Sequence, residues 1–219
     1  MTTSRSYRDG ARAVAALTPA ALSFGAAFGV LAESAGMGTF APIVMSATTF
    51  AGAAQFAAAS VLDEGGSVIA AVAAAVLLNA RYGAVSIAVA SAFRGARLRR
   101  LLESQLIVDE SWAVAQVGGG RIDRRLLVGA GLLLFPFWVG GTALGVLFGD
   151  VLGDPEQLGL DAAFPALFLA LLAGQLASRR AVFAALAGAA IALVLLPLTP
   201  PGVPVIAASA VCLAGVRPR

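Results

Sequence analysis

A single arginine stands inside a long apolar stretch, in the segment LLNARYGAV at 77–85. Sixteen uncharged residues precede Arg81 and twelve follow it. A buried guanidinium is costly in an apolar setting and normally faces a cavity or a partner, and its planar fork suits a carboxylate. Arg81 is therefore predicted to meet a negative charge, from a bound molecule or from a neighbouring acid. The plainer alternative is that its head group snorkels to a membrane surface.

Other polar residues could share this chemistry. Asn79 adds an amide to the same stretch, and Gln55 and Gln175 occupy matching places in the two halves of the chain. We predict that these amides, together with Arg81, bind a small substrate, although each glutamine could instead bond a neighbouring helix. Asp109 and Glu110 are the best acidic pair for carrying a proton, unless they form a solvated loop or a salt bridge.

The residue inventory argues against catalysis and against a bound metal or other cofactor. The chain has no histidine, so a serine nucleophile lacks its usual base and the commonest metal ligand is missing. The single cysteine, Cys212, lies in an apolar run, which excludes a thiolate cluster. We therefore predict that the protein is not an enzyme and holds no cofactor.

The composition is that of a protein embedded in a lipid bilayer. Hydrophobic residues make up 59% of the chain and charged residues 12%, whereas a soluble protein carries about a quarter charged residues. The fifteen basic residues are all arginines, clustered in short segments between apolar runs. That distribution fits cytoplasmic loops better than nucleic-acid binding. The sequence predicts an all-α, multi-pass protein of the plasma or inner membrane.

The chain 1–219 is predicted to form one transmembrane domain of about six to seven membrane segments. A helix needs about 20 apolar residues to cross a bilayer. A first half, 13–93, is separated from a second half, 126–216, by the polar connection 94–125. The apolar stretches are 13–32, 39–62, 66–93, 126–149, 162–178 and 181–216, the last broken in two by prolines.

The two halves are predicted to be repeats. GAAFGVL at 25–31 resembles GTALGVL at 141–147, and Pro19 and Pro136 precede these motifs by a few residues. Each motif holds two glycines four residues apart, a pattern of close helix packing in membranes. Helices interrupted by glycine and proline can instead expose backbone groups to a substrate in a transporter. The glycine pairs are Gly25 with Gly29, and Gly141 with Gly145.

Charge placement raises a question about the first half. The N-terminal arginines at 5, 8 and 12 anchor the first span on the cytoplasmic side. Three full crossings would then put the arginines of 94–100 on the opposite side, against the positive-inside rule. Either 66–93 is a broken pair of half-helices that returns to its starting side, or it is a long tilted helix and the first half disobeys the rule.

An ordered set of motifs resembles the AzlC family: Pro19 with FGAAFGVLAESAG, then SATTFAGAAQF, NARYGA, LIVDESWAV, FPFWVGGTALG and GLDAAFPALF. The resemblance covers about 15–180 and implies the larger subunit of a branched-chain amino acid exporter. It also implies a permease that exports valine, leucine or isoleucine, uses the proton gradient and works with a small AzlD-type membrane subunit. The rival hypothesis is a structural or assembly subunit without its own substrate site.

Overall fold

The computed structural model is helical throughout its described part, in which the pairing of Gln116 with Ile122 is an isolated bridge rather than a strand. Most of the predicted span 162–178, including Gln175, and nearly all residues after 199 lie outside the described part. The count of six to seven segments and the second repeat therefore stay predictions. The described residues are 5–63, 65–118, 120–152 and 178–199, with isolated positions between 169 and 208.

The described part contains long helices and a run of shorter ones between α2 and α9. A 3-10 turn, Ala15–Leu17, joins the first two into one rod. In chain order the helices are α1 (Tyr7–Val14), α2 (Thr18–Ser34), α3 (Phe40–Thr49), α4 (Gly52–Asp63), α5 (Val68–Asn79), α6 (Arg81–Val89), α7 (Arg97–Ser104), α8 (Asp109–Ala115), α9 (Arg124–Leu152) and α10 (Arg179–Leu195).

Three stretches of the described residues are long and apolar enough to cross a membrane. Pro19 lies in the first turn of α2, where its missing N–H breaks no helical hydrogen bond. Ala80, between α5 and α6, keeps helical angles (φ −56°, ψ −25°), so the chain continues there in one direction. Within the stretch 66–93, Val68–Val89 is thus a single long helix rather than a returning pair. The three stretches are Tyr7–Ser34, Val68–Val89 and Arg124–Gly149.

The stretch 39–62, which we predicted to be a crossing, consists of two short helices joined by a sharp turn. Phe50, between α3 and α4, has a left-handed backbone with φ 44°. Across the turn, Gln55 Nε2 donates to Ser46 Oγ at 2.7 Å. In a straight helix these two residues would be about 13 Å apart along the axis, too far for the side chains to meet. The chain therefore bends back at Phe50.

We call α3 and α4, which are joined by the turn at Phe50, a re-entrant pair, because the chain enters the interior and returns. Packing shows toward which end of the bundle these two helices lead. Ala59 on α4 is fully buried against Phe28 and Ala32, near the C-terminal end of α2. α3 begins shortly after that same end of α2. Both arms therefore open toward one end of the bundle, and the turn at Phe50, which is 5% exposed, lies in the interior.

A second element enters the interior from the opposite end. After α7 the chain dips inward, and Val108 packs in one cluster with Phe24 and Trp138. Ala115, at the end of α8, packs instead with Leu127 near the start of α9. α8 therefore runs outward from the centre, and its N-terminus lies close to the turn of the first re-entrant pair.

This arrangement removes the conflict with the positive-inside rule. The first long helix leaves the arginine-rich end, and α3–α4 returns to the far end without crossing. Val68–Val89 then leads back to the first end, so the arginines of 94–100 join those at 5, 8 and 12. We call this end the basic end.

The two glycine pairs pack against each other at the contact between α2 and α9. A Cβ built on any of the four glycines would lie 2.0–2.4 Å from a backbone oxygen of the other helix, so no side chain fits. The two helices are parallel, since residue numbers rise together along the contact. The contacts are Gly25 with Trp138 O, Gly29 with Thr142 O, Gly141 with Leu22 O, and Gly145 with Ala26 O.

These contacts are reciprocal. The two GxxxG motifs are offset by 116 residues (141 minus 25), and the same shift exchanges the partners of each contact. An interface of this kind has a local two-fold axis, which for parallel helices runs along them. Under the shift, the contact of Leu22 with Gly141 becomes that of Gly25 with Trp138, and the contact of Ala26 with Gly145 becomes that of Gly29 with Thr142.

Replacing Gly145 by alanine is expected to destabilise the protein, because its Cβ would lie 2.0 Å from the Ala26 carbonyl oxygen. Overpacking of this kind costs about 1–3 kcal/mol. Gly140→Ala is the matched control, since a Cβ there meets nothing within 4 Å. The thermal unfolding midpoint in detergent measures both, and equal midpoints for the two variants would contradict the close contact.

The re-entrant path of α3–α4 predicts that its two outer ends lie on one side of the membrane. In a Cys212→Ser background, Ser34→Cys and Asp63→Cys should react with a membrane-impermeant thiol reagent from the same side. Arg97→Cys should react from the other. A full crossing would place positions 34 and 63 on opposite sides, and that labelling pattern would overturn the re-entrant topology.

Candidate functional site

An internal cavity of about 60 Å³ lies where the two re-entrant elements meet α2, α6 and α9. One wall carries the charged residues Arg81, Asp109 and Glu110. We call this space the charged cavity. Its remaining wall is mainly apolar, and that wall comprises Leu17, Ala20, Ala21, Phe24, Phe50, Gly52, Ala53, Val108, Leu134 and Trp138, with Tyr82 beside the charged groups.

An ion pair closes the charged wall. Arg81 Nη2 donates to Asp109 Oδ2 at 2.8 Å, and each side chain is 26% exposed. The guanidinium also lies over the Tyr82 ring, 5.3 Å from its centroid, in a cation–π arrangement. The head group of Arg81 thus points into the protein toward a neighbouring acid. Arg81 lines the same cavity as Phe50 and Val108, the inner ends of the two re-entrant elements.

The two acids form the first turn of α8, outside the three long helices. Burial raises the pKa of the Asp109 carboxyl, and the Arg81 charge opposes that shift. Burial also raises the pKa of Glu110, where the negative charge of Asp109 adds to the rise. Both carboxyl groups therefore lie in a setting that favours their protonated form.

Gln55 lies outside the charged cavity, and both ends of its amide are engaged. Its side chain is fully buried. Oε1 accepts hydrogen bonds from Trp138 Nε1 at 3.0 Å and from the Ala51 backbone N–H at 3.2 Å. An indole and a peptide N–H can only donate, so these contacts fix the orientation of the amide, and Nε2 donates to Ser46 Oγ.

The network continues to α9 and closes on itself. Ser46 Oγ lies 2.7 Å from Thr142 Oγ1, and Thr142 Oγ1 donates to the Trp138 carbonyl at 3.0 Å. Each hydroxyl has one proton, so Thr142 must accept from Ser46, which in turn accepts from Gln55. The hydrogen bonds form a ring that begins and ends on Trp138. This ring ties α3, α4 and α9 together, which places Gln55 as a link between helices.

Asn79 lies apart from Arg81 as well. It lines two neighbouring cavities, of about 270 and 600 Å³, rather than the charged one. Its Oδ1 is buried and has no hydrogen-bond partner among the described residues. Gln175 lies outside the described residues. Of the predicted substrate-binding residues, the structure therefore brings Arg81 together with the proton-carrier candidates and separates it from Gln55 and Asn79.

The two predicted prolines lie at different places in their helices, Pro19 at the start of α2 and Pro136 in the interior of α9. Pro19 follows the 3-10 turn that joins α1 to α2. Pro136 lies within α9, next to Phe135, whose ring packs edge-on against Phe50 at 5.2 Å between centroids. Phe50 and Trp138 were not identified from the sequence, since a left-handed phenylalanine and a tryptophan that closes a hydrogen-bond ring have no local sequence pattern.

An ion-pair cluster at the basic end holds the second re-entrant element in place. Glu103, 8% exposed, accepts hydrogen bonds from Arg99 and from both Nε and Nη2 of Arg124. Arg124 also donates to the Tyr7 hydroxyl at 3.2 Å. The hydrogen bond from Arg124 lowers the pKa of Glu103 despite its burial. The cluster joins α7 to α1 and α9, and so fixes the segment that leads to Asp109.

Comparison with known protein families gives a match that covers the region of the charged cavity. A family model described as AzlC protein matches residues 16–152, which contain every residue that lines the charged cavity. The chain belongs to the AzlC family. AzlC proteins form a family of membrane transport proteins rather than enzymes. No solved structure matches the chain.

Three relatives of the AzlC chain illustrate the range of similarity. The branched-chain amino acid transport protein AzlC of Bacillus subtilis is 28% identical over 170 residues, which are 76% of this chain and 66% of that protein. An uncharacterized membrane protein of Archaeoglobus fulgidus is 36% identical over 80% of this chain and 79% of its own length. One from Haemophilus influenzae is 30% identical over 80% and 73% respectively.

Proposed function

We propose that this AzlC protein exports valine, leucine or isoleucine across the cell membrane. The observation that carries the proposal is that one wall of the charged cavity is charged while the rest is mainly apolar. A branched-chain amino acid has a carboxylate, an ammonium group and an aliphatic side chain. The cavity is lined by a guanidinium, two carboxyl groups and an apolar surface, which complement these three parts of the substrate. The name of the Bacillus subtilis relative supports the choice of substrate class.

Arg81 binds the substrate carboxylate in this proposal. Its guanidinium can donate two parallel hydrogen bonds to a carboxylate. Gly52 and Ala53, the first residues of α4, line the same cavity, and the positive end of a helix dipole favours an anion nearby. Interrupted helices whose N-termini face an anionic substrate group are a recurring feature of secondary transporters. Leu17, Phe24 and Trp138 contact the aliphatic side chain.

Proton coupling follows from competition for Arg81. In the structure the guanidinium is bonded to Asp109. A substrate carboxylate that takes this guanidinium leaves Asp109 as a buried charge without its partner, which is strongly unfavourable. Protonation of Asp109 removes that cost. Substrate binding and proton uptake are therefore linked, with Glu110 as the second acid that can receive or pass on the proton.

A small AzlD-type membrane subunit completes the transporter. The helix Val68–Val89 keeps large apolar side chains exposed in the described part of the chain, among them Ile69 and Ile87, each 81% exposed. That surface is suited to contact with another membrane helix or with lipid. The proposal places the protein in the plasma or inner membrane with its basic end in the cytoplasm.

The decisive experiment is valine, leucine and isoleucine efflux from proteoliposomes that contain the chain with and without its small subunit. Arg81→Gln should weaken apparent substrate affinity about ten- to hundredfold, because a charged hydrogen bond contributes about 1.5–3 kcal/mol. Arg81→Lys should show a smaller loss, since it keeps the charge but not the fork. Arg94→Gln is the matched control, because Arg94 is an exposed arginine that lies outside the charged cavity and outside the Glu103 cluster.

Two results would oppose the proposal. An Arg81→Lys variant with unchanged affinity would end the carboxylate role of Arg81. No efflux of any of the three amino acids, even with the small subunit, would favour the alternative of a structural or assembly subunit. In that alternative the ion pair of Arg81 with Asp109 only joins helices.

The coupling scheme predicts that valine binds more tightly as pH falls through the raised pKa of Asp109. Protonated Asp109 releases Arg81 to the substrate, and the other ionisable groups facing it are Tyr82 and Glu110. Asp109→Asn should bind tightly at every pH, since it resembles the protonated acid. Trp138 lines the cavity, so tryptophan fluorescence during valine titration measures the affinity. Asp63→Asn, an exposed acid at the far end, should keep the wild-type profile. An Asp109→Asn variant with the same pH profile as the wild type would refute the scheme.

A further inference from the structure

A second cavity, of about 270 Å³, adjoins the charged cavity. It extends toward the basic end, because Ser104 and Gln105 at the end of the arginine-rich α7 form part of its wall. Asn79, Thr49 and Ser86 add further amide and hydroxyl groups. No charged side chain of the described residues lines it. We call this space the polar cavity.

Two aromatic residues separate the polar cavity from the charged cavity. Phe50 and Tyr82 line both spaces. Phe50 is 5% exposed and its ring is held edge-on against Phe135, with an angle of 80° between the planes. The Tyr82 ring is held beneath the guanidinium of Arg81. The barrier is therefore made of two side chains that are each fixed by a neighbour, rather than by a continuous helix.

The backbone of Phe50 is imposed on it from both sides. Its angles, φ 44° and ψ 50°, are unfavourable for a residue with a bulky side chain. Before it, Gln105 Nε2 donates to the carbonyl oxygens of Ala47 at 3.2 Å and Thr48 at 2.7 Å. After it, the Ala51 N–H donates to Gln55 Oε1. Strained backbone of this kind persists when its surroundings fix it, and it is found at gates and ligand sites.

The polar cavity also contains an unsatisfied acceptor. Asn79 lines the cavity, and its buried Oδ1 has no partner among the described residues. A buried acceptor without a donor is costly, so the position calls for a donor from water or from a ligand. An ammonium group supplies such a donor. The neutral hydroxyl and amide groups around it allow weak and exchangeable hydrogen bonds, which suit passage better than tight retention.

We propose that the polar cavity is the passage between the charged cavity and the basic end, and that the rings of Phe50 and Tyr82 are its gate. The molecule that passes is a zwitterionic amino acid with an apolar side chain. That identity rests on the proposed function, whereas the existence of the gate does not. Asn79 contacts the ammonium group of the substrate on the way, and Gln105 ties the position of the gate to the segment that leads to Asp109.

Cysteine accessibility tests the gate without requiring transport activity. In a Cys212→Ser background, Ser86→Cys reports the polar cavity and Ala53→Cys reports the charged cavity, because each lines one of the two spaces. A small, membrane-impermeant methanethiosulfonate reagent is added from the basic end to oriented vesicles that contain the full chain. Ser86→Cys should react quickly, and Ala53→Cys at least tenfold more slowly.

Removing the gate should abolish this difference. Phe50→Gly deletes the ring and is compatible with the positive φ of the position, and thermal unfolding checks that the fold is retained. In that variant Ala53→Cys should react at least tenfold faster than with Phe50 present. Phe56→Ala is the matched control, since Phe56 is an aromatic residue of α4 that packs against Phe28 and lines neither cavity.

Three outcomes would count against the gate. Unchanged labelling of Ala53→Cys when Phe50 is replaced by glycine would show that the ring is no barrier. Equal acceleration by Phe56→Ala would assign the effect to general loosening. A Ser86→Cys variant that reacts only from the far end would place the passage on the wrong side. A chain that transports nothing but shows the expected labelling would contradict the proposed function and leave the gate standing.

Discussion

Irregular backbone inside a membrane protein must find its hydrogen bonds within the protein, because lipid offers none. The described part of the chain contains two such interruptions, at the turn of α3–α4 and at the approach to α8. Gln55 and Gln105 supply partners on the two sides of the first, and the Ser111 hydroxyl bonds the backbone of Val108 and Leu106 at the second. These side-chain hydrogen bonds allow both turns to lie in the protein interior, where the cavities are.

Close packing provides the fixed frame on which this irregular part depends. The backbone contact of α2 with α9 needs four glycines, and it brings Trp138 to the point where Gln55, Ser46 and Thr142 can close a hydrogen-bond ring. Ion pairs lie at two places with different surroundings. The Glu103 cluster lies at the basic end and joins α7 to α1 and α9. The pair of Arg81 with Asp109 borders a cavity, where, in the proposed function, a substrate can compete for one partner.

Sequence patterns predicted the membrane environment, the all-helical class, the family and the contact of Arg81 with a negative charge, because each depends on composition or on a few local motifs. The packing of the glycine pairs was also foreseeable from their spacing. The return of the chain at Phe50 was not, since 39–62 is as apolar as a true span and a left-handed phenylalanine leaves no local trace. The depth of Asp109 was likewise hidden, because its position depends on Glu103 and Arg124, residues that read as an ordinary charged loop.

The local two-fold axis of α2 and α9 has a mechanical consequence. An axis that runs along the helices maps each end of the bundle onto itself. Inverted repeats can exchange the roles of their halves and so convert an inward-open shape into an outward-open one. A parallel pair has no such exchange, because both of its helices present the same end to the same compartment. Within the described residues, the two ends of the bundle differ instead in the two re-entrant elements, which enter from opposite ends.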